Sequence, residues 1–155
     1  MGVEDTVHEE TGTEVQYVTF FLGRDMFGIE VLRVQEILQS QEITPAPLAP
    51  EYIMGLINLR GQIITAMDLK MFVTGERSSE NTSQMNIVIK DKSSIVSMVV
   101  DEIGDVIDIQ KKCIEPLPAK LATINQDYIS GICKRETEIV ILLNVDQLLG
   151  VRKVA

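Results

Sequence analysis

Short apolar runs separated by polar clusters recur along the whole chain, and their spacing is mostly that of strands. In "VQYVTFFLGRDMFGIEV", Val18, Phe20 and Leu22 alternate with Tyr17, Thr19 and Phe21, which predicts a strand. Gly23-Arg24-Asp25 predicts a turn, and "MFGIEV" the returning strand. In "LRVQEILQ", Val31, Val34 and Ile37 are spaced for one helical face, which predicts a short helix or turn, with a strand as the alternative. Pro45, Pro47 and Pro50 in "EITPAPLAP" cannot continue a helix or sit in a central strand, so this stretch reads as an edge strand running into a loop. Leu56–Leu59 and Ile63–Ala66 read as two strands around an Arg60-Gly61 turn, followed by a short helix, "DLKMFV", with Asp68 as its N-cap. The polar stretch 74–84 has no core formers and is the best internal boundary. Beyond it come a hairpin around Asp91-Lys92-Ser93-Ser94, a strand "GDVIDI", a proline-stiffened loop "EPLPAK", and a last hairpin, "YISGICKRETEIVILL", ending in a helical turn. Residues 1–14 are acidic and poor in core formers, and are expected to be disordered.

The two halves echo each other. Laying "YIMGLINLRGQIITAMDL" over "YISGICKRETEIVILLNVDQL" matches Tyr52, Ile53 and Gly55 to Tyr128, Ile129 and Gly131, with Ile57 and Ile132 one position out. Upstream, "IEVLRVQEI" over "MVVDEIGDV" pairs Val34 with Ile103 and Ile37 with Val106. The offsets are 76 and 69 residues, and the difference fits an insertion near the Pro116–Pro118 loop. Two related β-rich halves are expected, about 15–73 and 85–150. Each is too small to bury enough surface alone, so they should share a core, as small barrels side by side with a groove between. Closing sheets into barrels also hides their edges.

Composition narrows this further. The 155 residues are 45% apolar with no Trp, three Tyr and four Phe, so the core is aliphatic and rich in β-branched residues. Of the net charge of −9, five charges (Glu4, Asp5, Glu9, Glu10, Glu14) fall in the first 14 residues, leaving −4 on the rest. With no basic stripe, nucleic acid and anionic membrane surfaces are not expected partners. No apolar run approaches the ~20 residues of a membrane span, and the N-terminus lacks the basic flank and apolar stretch of a secretory signal, so a cytoplasmic protein without membrane insertion is expected. Cys113 and Cys133 lack C-x-x-C spacing and a neighbouring histidine, and read as two reduced, partly buried thiols.

Catalytic groups are scarce. The sole histidine, His8, lies in the acidic tail, which removes Ser-His-Asp and Cys-His arrangements and leaves no histidine for a buried metal site. No phosphate-binding glycine motif is present. Asp101, Glu102, Asp105 and Asp108 are the one candidate carboxylate cluster; they lack the calcium-loop pattern and read first as the solvated face of a strand. No cofactor and no metal are expected. Arg60 admits two readings: a solvated turn residue, or an arginine anchor whose planar fork orients a partner. Val34 and Ile37 admit the same two readings, core or contact, and a Val/Ile stripe at helical spacing is more often core.

"IMGLINLRGQIITAMDL" resembles the signature of the CheW family, the adaptor proteins of bacterial chemotaxis. "FFLGRDMFGIEVLRVQEI" is similar to that family's first hairpin and turn, and "VVDEIGDVIDI" and "YISGICKRETEIVILLNVDQLL" to its second half, so the resemblance runs from about Val15 to Gly150. It implies a mainly β fold of two five-stranded SH3-like β-barrel subdomains sharing a core, with short helices. It also implies a non-enzymatic cytoplasmic adaptor that couples chemoreceptor tips to the regulatory domain of the histidine kinase CheA at membrane-associated arrays. Carried over, the receptor-facing residues are Val34, Glu36, Ile37, Gly55, Asn58 and Arg60, and the kinase-facing residues Ile43, Met54 and Ile63. Glu115 and Lys120 depart from the basic and aromatic residues that flank the P-x-P loop in many relatives, which bears on the ring-forming contact of that loop. Three rival functions are an adaptor of a non-flagellar motility array, a small carboxylate enzyme using the Asp101–Asp108 region, and a scaffold that self-assembles through barrel ends.

Overall fold

The computed structural model describes residues 13–77, 84–90, 94–119 and 126–154. The predicted tail (all but its last two residues), the turn at Asp91-Lys92-Ser93 and Lys120 therefore lie outside the described residues, as does most of the 74–84 loop. Eleven strands are described: β1 Glu14–Leu22, β2 Asp25–Glu30, β3 Val34–Leu38, β4 Ile53–Leu59, β5 Gln62–Asp68, β6 Met85–Lys90, β7 Ile95–Val100, β8 Glu102–Gln110, β9 Ile114–Glu115, β10 Ile129–Lys134 and β11 Ile139–Leu143. Two helices follow the β5 and β11 strands, α1 Leu69–Thr74 and α2 Val145–Val154. No helix among the described residues is long and apolar enough to cross a membrane.

The strands form two sheets, in the orders β8-β1-β2-β11-β10-β9 and β3-β6-β7-β5-β4. These do not follow the division at 74–84. The first hairpin, β1–β2, lies in the sheet of the second half, and β6–β7 lies in the sheet of the first half. Each barrel thus borrows a hairpin from the other half of the chain. Both borrowed hairpins are buried on both faces, with Tyr17 to Phe20 and Val96 to Val100 all buried. That is why "YVTF" and "VSMVV" are nearly continuous apolar runs rather than strict alternations. The edge strands β3 and β8 stay with their own halves, each flanking a borrowed hairpin, and are mostly half-buried or exposed.

Three clusters fill the interior. Tyr17, Ile109, Cys133, Val140 and Leu142 lie inside one barrel, and Ile57, Ile64, Ala66 and Val99 inside the other. Between the barrels a larger cluster takes residues from both sheets, including Phe20, Phe27 and Ile29 on one side and Met67, Ile87, Ile89 and Met98 on the other. Two five-stranded SH3-like barrels sharing a core is therefore the observed architecture. One sheet adds a two-residue sixth strand, β9. Its counterpart in the other sheet is a single bridge, Thr44 to Leu56.

The internal repeat is structural. Val34 stands opposite Ile89 and Ile37 opposite Ile87, while Ile103 stands opposite Phe20 and Val106 opposite Val18. Both edge strands carry a bulge between these pairs. At the other offset, Gly55 pairs with Ala66 as Gly131 pairs with Leu142. The Asp68 amide donates to the Tyr52 carbonyl at 2.7 Å, and the Asn144 amide to that of Tyr128 at 2.9 Å. Asp68 and Asn144 both cap the helix that follows, accepting from the Met71 and Gln147 amides. Between these matches Ile43-Thr44 corresponds to Ile114-Glu115, since each pair packs on the glycine of the neighbouring strand. Most of the extra length therefore falls between Glu115 and Tyr128, the interval that holds the Pro116–Pro118 loop.

The stretch 31–38 divides between the short helical turn expected first and the strand held as its alternative. It is a one-turn 3-10 helix, Val31–Arg33, followed by a strand. The bulge between Val34 and Glu36 places three residues of β3 against two of β6. Val34 and Ile37 thus reach one face at a spacing of three, which imitates helical periodicity.

Candidate functional site

Arg60 and Gly61 form the two-residue turn of the β4–β5 hairpin, with φ of 52° and 85°. Two positive φ values are what a tight, strand-twisted turn requires, and they are costly for an arginine. Asn58 holds the turn by accepting the Gly61 amide on Oδ1 at 2.9 Å. The Arg60 guanidinium donates both terminal nitrogens to Glu36, at 2.7 and 2.8 Å. β3 and β4 are opposite edges of a five-stranded sheet, which in a flat sheet would lie about 19 Å apart. Their side-chain contact shows that the sheet has curled closed, with the ion pair across its seam.

This pairing joins the two segments from which the receptor-facing residues were taken. Arg60 remains largely exposed while Glu36 is mostly covered, with side-chain exposures of 71% and 21%. Arg60 is thus neither a free anchor nor a merely solvated turn residue; it is an oriented cation with an exposed edge. The hydrogen bond from Arg60, helped by its charge, holds the Glu36 carboxyl below the usual carboxylate range. The pair is therefore intact above that range and is lost only as pH falls through the lowered pKa. An NMR titration of Glu36 will give a pKa below the ordinary glutamate value, and Arg60→Ala will return it upward. An ordinary value in the wild type would mean that the fork is not held in solution.

The other carried-over residues divide by exposure. Val34 packs against the shared core, whereas Ile37, on the same face, is exposed at its margin. Gly55 is buried, and the side on which a Cβ would stand is filled by the Thr44 carbonyl. The close approach that Gly55 permits is therefore internal. Ile43 and Met54 are half-buried over the first barrel's own cluster. Ile63 is 57% exposed and stands opposite Asn58, two pairs along from the exposed Leu56 opposite Thr65. Leu56 joins this apolar surface without having been singled out from the sequence; its outward alternation with Ile57 was the available signal.

The remaining candidates are placed as follows. Asp101 accepts the Gly23 amide on Oδ2 at 2.6 Å, tying the first hairpin's turn to the β7–β8 junction, while its Oδ1 is buried without a hydrogen bond. Glu102, Asp105 and Asp108 are exposed along β8, and the Asp105 carbonyl accepts from Thr19 at 2.6 Å. Among the described residues no group of three His, Cys, Asp or Glu is placed to hold a metal ion. Cys113 is exposed and Cys133 is buried, and burial raises the Cys133 thiol pKa, disfavouring the thiolate. Glu115 pairs with Lys134 at 3.6 Å.

Comparison with known proteins points one way. A family model described as CheW-like domain matches residues 16–153. The chain is 30% identical over 141 residues to Chemotaxis protein CheW of Treponema pallidum, covering 88% of this chain and 83% of that one. It is 30% identical over 152 residues to Chemotaxis protein CheW of Klebsiella aerogenes, covering 97% and 92%. Among solved structures, the scaffolding protein TtCheW from Thermoanaerobacter tengcongensis superposes with a TM-score of 0.76 at 30% identity, over 84% of each chain.

Proposed function

The chain belongs to the CheW-like domain family, and from that premise we propose that it is a non-enzymatic adaptor coupling the cytoplasmic tips of chemoreceptors (methyl-accepting chemotaxis proteins) to the regulatory domain of a CheA-type histidine kinase. The observation that carries this reading is the Glu36–Arg60 fork across the barrel seam, which brings β3 and the β4–β5 hairpin into one surface. Val34, Glu36, Ile37 and Arg60 form the receptor-facing part, where an apolar margin beside a fixed cation suits one face of a receptor helix. Asn58 and Gly55 shape it from behind, by holding the turn and the 43–44 segment. Ile43, Met54 and Ile63 form the kinase-facing part, an aliphatic surface that another barrel end can cover. The chain works in the cytoplasm as one domain, about 15–150, recruited to membrane-associated arrays through its partners. It takes no cofactor.

Pull-down with the regulatory domain of a CheA-type kinase tests the kinase half. The wild type will be retained, and Ile63→Asp will lower retention at least tenfold, because a charge would be buried unpaired. Arg60→Glu will keep the fold, by circular dichroism, and lose receptor coupling. An Arg60→Glu protein that unfolds would make Arg60 structural, and wild-type protein that fails to bind at micromolar concentrations would remove the kinase from the reading. The receptor that co-purifies separates a chemotaxis array from one controlling surface motility.

A further inference from the structure

Only two non-glycine residues among those described have positive φ, Arg60 and Leu48. Leu48 has φ of 64° and is fully exposed. A single exposed leucine is ordinary. A leucine exposed in a left-handed conformation is not, because glycine or asparagine there would lower the backbone energy and remove apolar surface from water. Folding stability thus offers no reason for leucine at this position.

The surrounding loop holds the side chain outward. Pro45, Pro47 and Pro50 stiffen it, and the Ala49 amide closes a turn on the Ala46 carbonyl at 3.4 Å, with Leu48 third in that turn. Its base is pinned by two hydrogen bonds of 2.8 Å between Thr44 and Leu56, and by one of 2.9 Å from the Ile53 amide to the Pro50 carbonyl. The equivalent position in the second half, by the Thr44–Glu115 correspondence, is Ala119. The projecting side chain is therefore present on one barrel only. The loop also runs directly from Ile43 to Met54, two of the residues proposed above to face the kinase.

We infer that Leu48 is a preset knob that inserts into an apolar pocket of the kinase regulatory domain, extending the Ile43–Met54–Ile63 surface. This rests on the adaptor reading. A stiff loop presents one side chain with little conformational entropy left to lose, so the backbone strain is held for the partner. Leu48→Gly and Leu48→Asn remove the knob and suit the left-handed backbone. Titration calorimetry with the regulatory domain will show affinity reduced roughly 10- to 100-fold for both, and melting will show a Tm unchanged or raised by up to about 3 °C. Leu32→Ser removes a leucine nearly as exposed, on the 3-10 turn, and will leave affinity unchanged. Wild-type binding with unaltered affinity in the Leu48 variants overturns this inference and leaves the adaptor reading standing. An equal loss in Leu32→Ser overturns it in favour of general surface stickiness. A Leu48-dependent dimer in sedimentation of the chain alone makes a second copy the occupant instead. Wild-type protein that does not bind overturns the adaptor reading, and this inference with it.

Discussion

Gly55→Ala will destabilise the protein by about 3 kcal/mol, from ~1–3 kcal/mol of backbone strain and roughly 1 kcal/mol for each hydrogen bond disturbed. Gly55 has φ of 152°, where side chains are rarely tolerated, and an added Cβ would collide with the Thr44 carbonyl and the Ile43 side chain. Relief requires moving the 43–44 segment away from β4, which breaks the paired Thr44–Leu56 hydrogen bonds. The neighbouring Gly61 provides the comparison. Its φ of 85° also favours glycine, but an added Cβ there meets nothing within 4 Å, so Gly61→Ala should cost only about 1 kcal/mol. Denaturant unfolding of the two variants decides the point. If Gly55→Ala keeps wild-type stability and only loses a partner, Gly55 is a contact residue and its internal role is wrong. If it is destabilised more than Gly61→Ala, any binding defect at Gly55 is a consequence of displacing Ile43 and the loop beyond it.

The same contrast shows what could be read from the chain before its fold. Both glycines stood out in one signature, but a turn glycine is a local feature and a bulge glycine is defined by the strand it touches. The repeat was legible because Val34/Ile103 and Tyr52/Tyr128 occupy equivalent positions around a pseudo-twofold relation, and equivalent environments select similar side chains. The exchange of hairpins between the barrels was not legible. The polar 74–84 loop has the composition of a boundary, and nothing local says that β6 returns to pair with β3. The helical spacing of Val31, Val34 and Ile37 misled for a physical reason, since a bulge turns a period of two into a step of three. Arg60 was recognisable as either anchor or turn residue; its partner Glu36 lies 24 residues away, and only barrel closure brings the two together.

Phe20→Ala will cost about 4 kcal/mol, in the range for deleting a buried aromatic ring, and will weaken both barrels together. Phe20 and Phe27 are fully buried and stacked with ring centroids 6.1 Å apart. They lie in the cluster between the barrels, against residues of both sheets, rather than inside either one. Because each sheet also takes a hairpin from the opposite half of the chain, neither barrel can keep its strands when the other loses them. Loss on this scale removes much of the ~5–15 kcal/mol that holds a domain folded. Hydrogen exchange is the suitable readout, since amides of β4 and β10 report separately on the two barrels. Equal losses of protection in both are expected, with one cooperative transition. A variant in which β10 loosens while β4 keeps its protection would show that the barrels are independent units. The shared cluster would then be an interface between two domains, and the borrowed hairpins would not couple them.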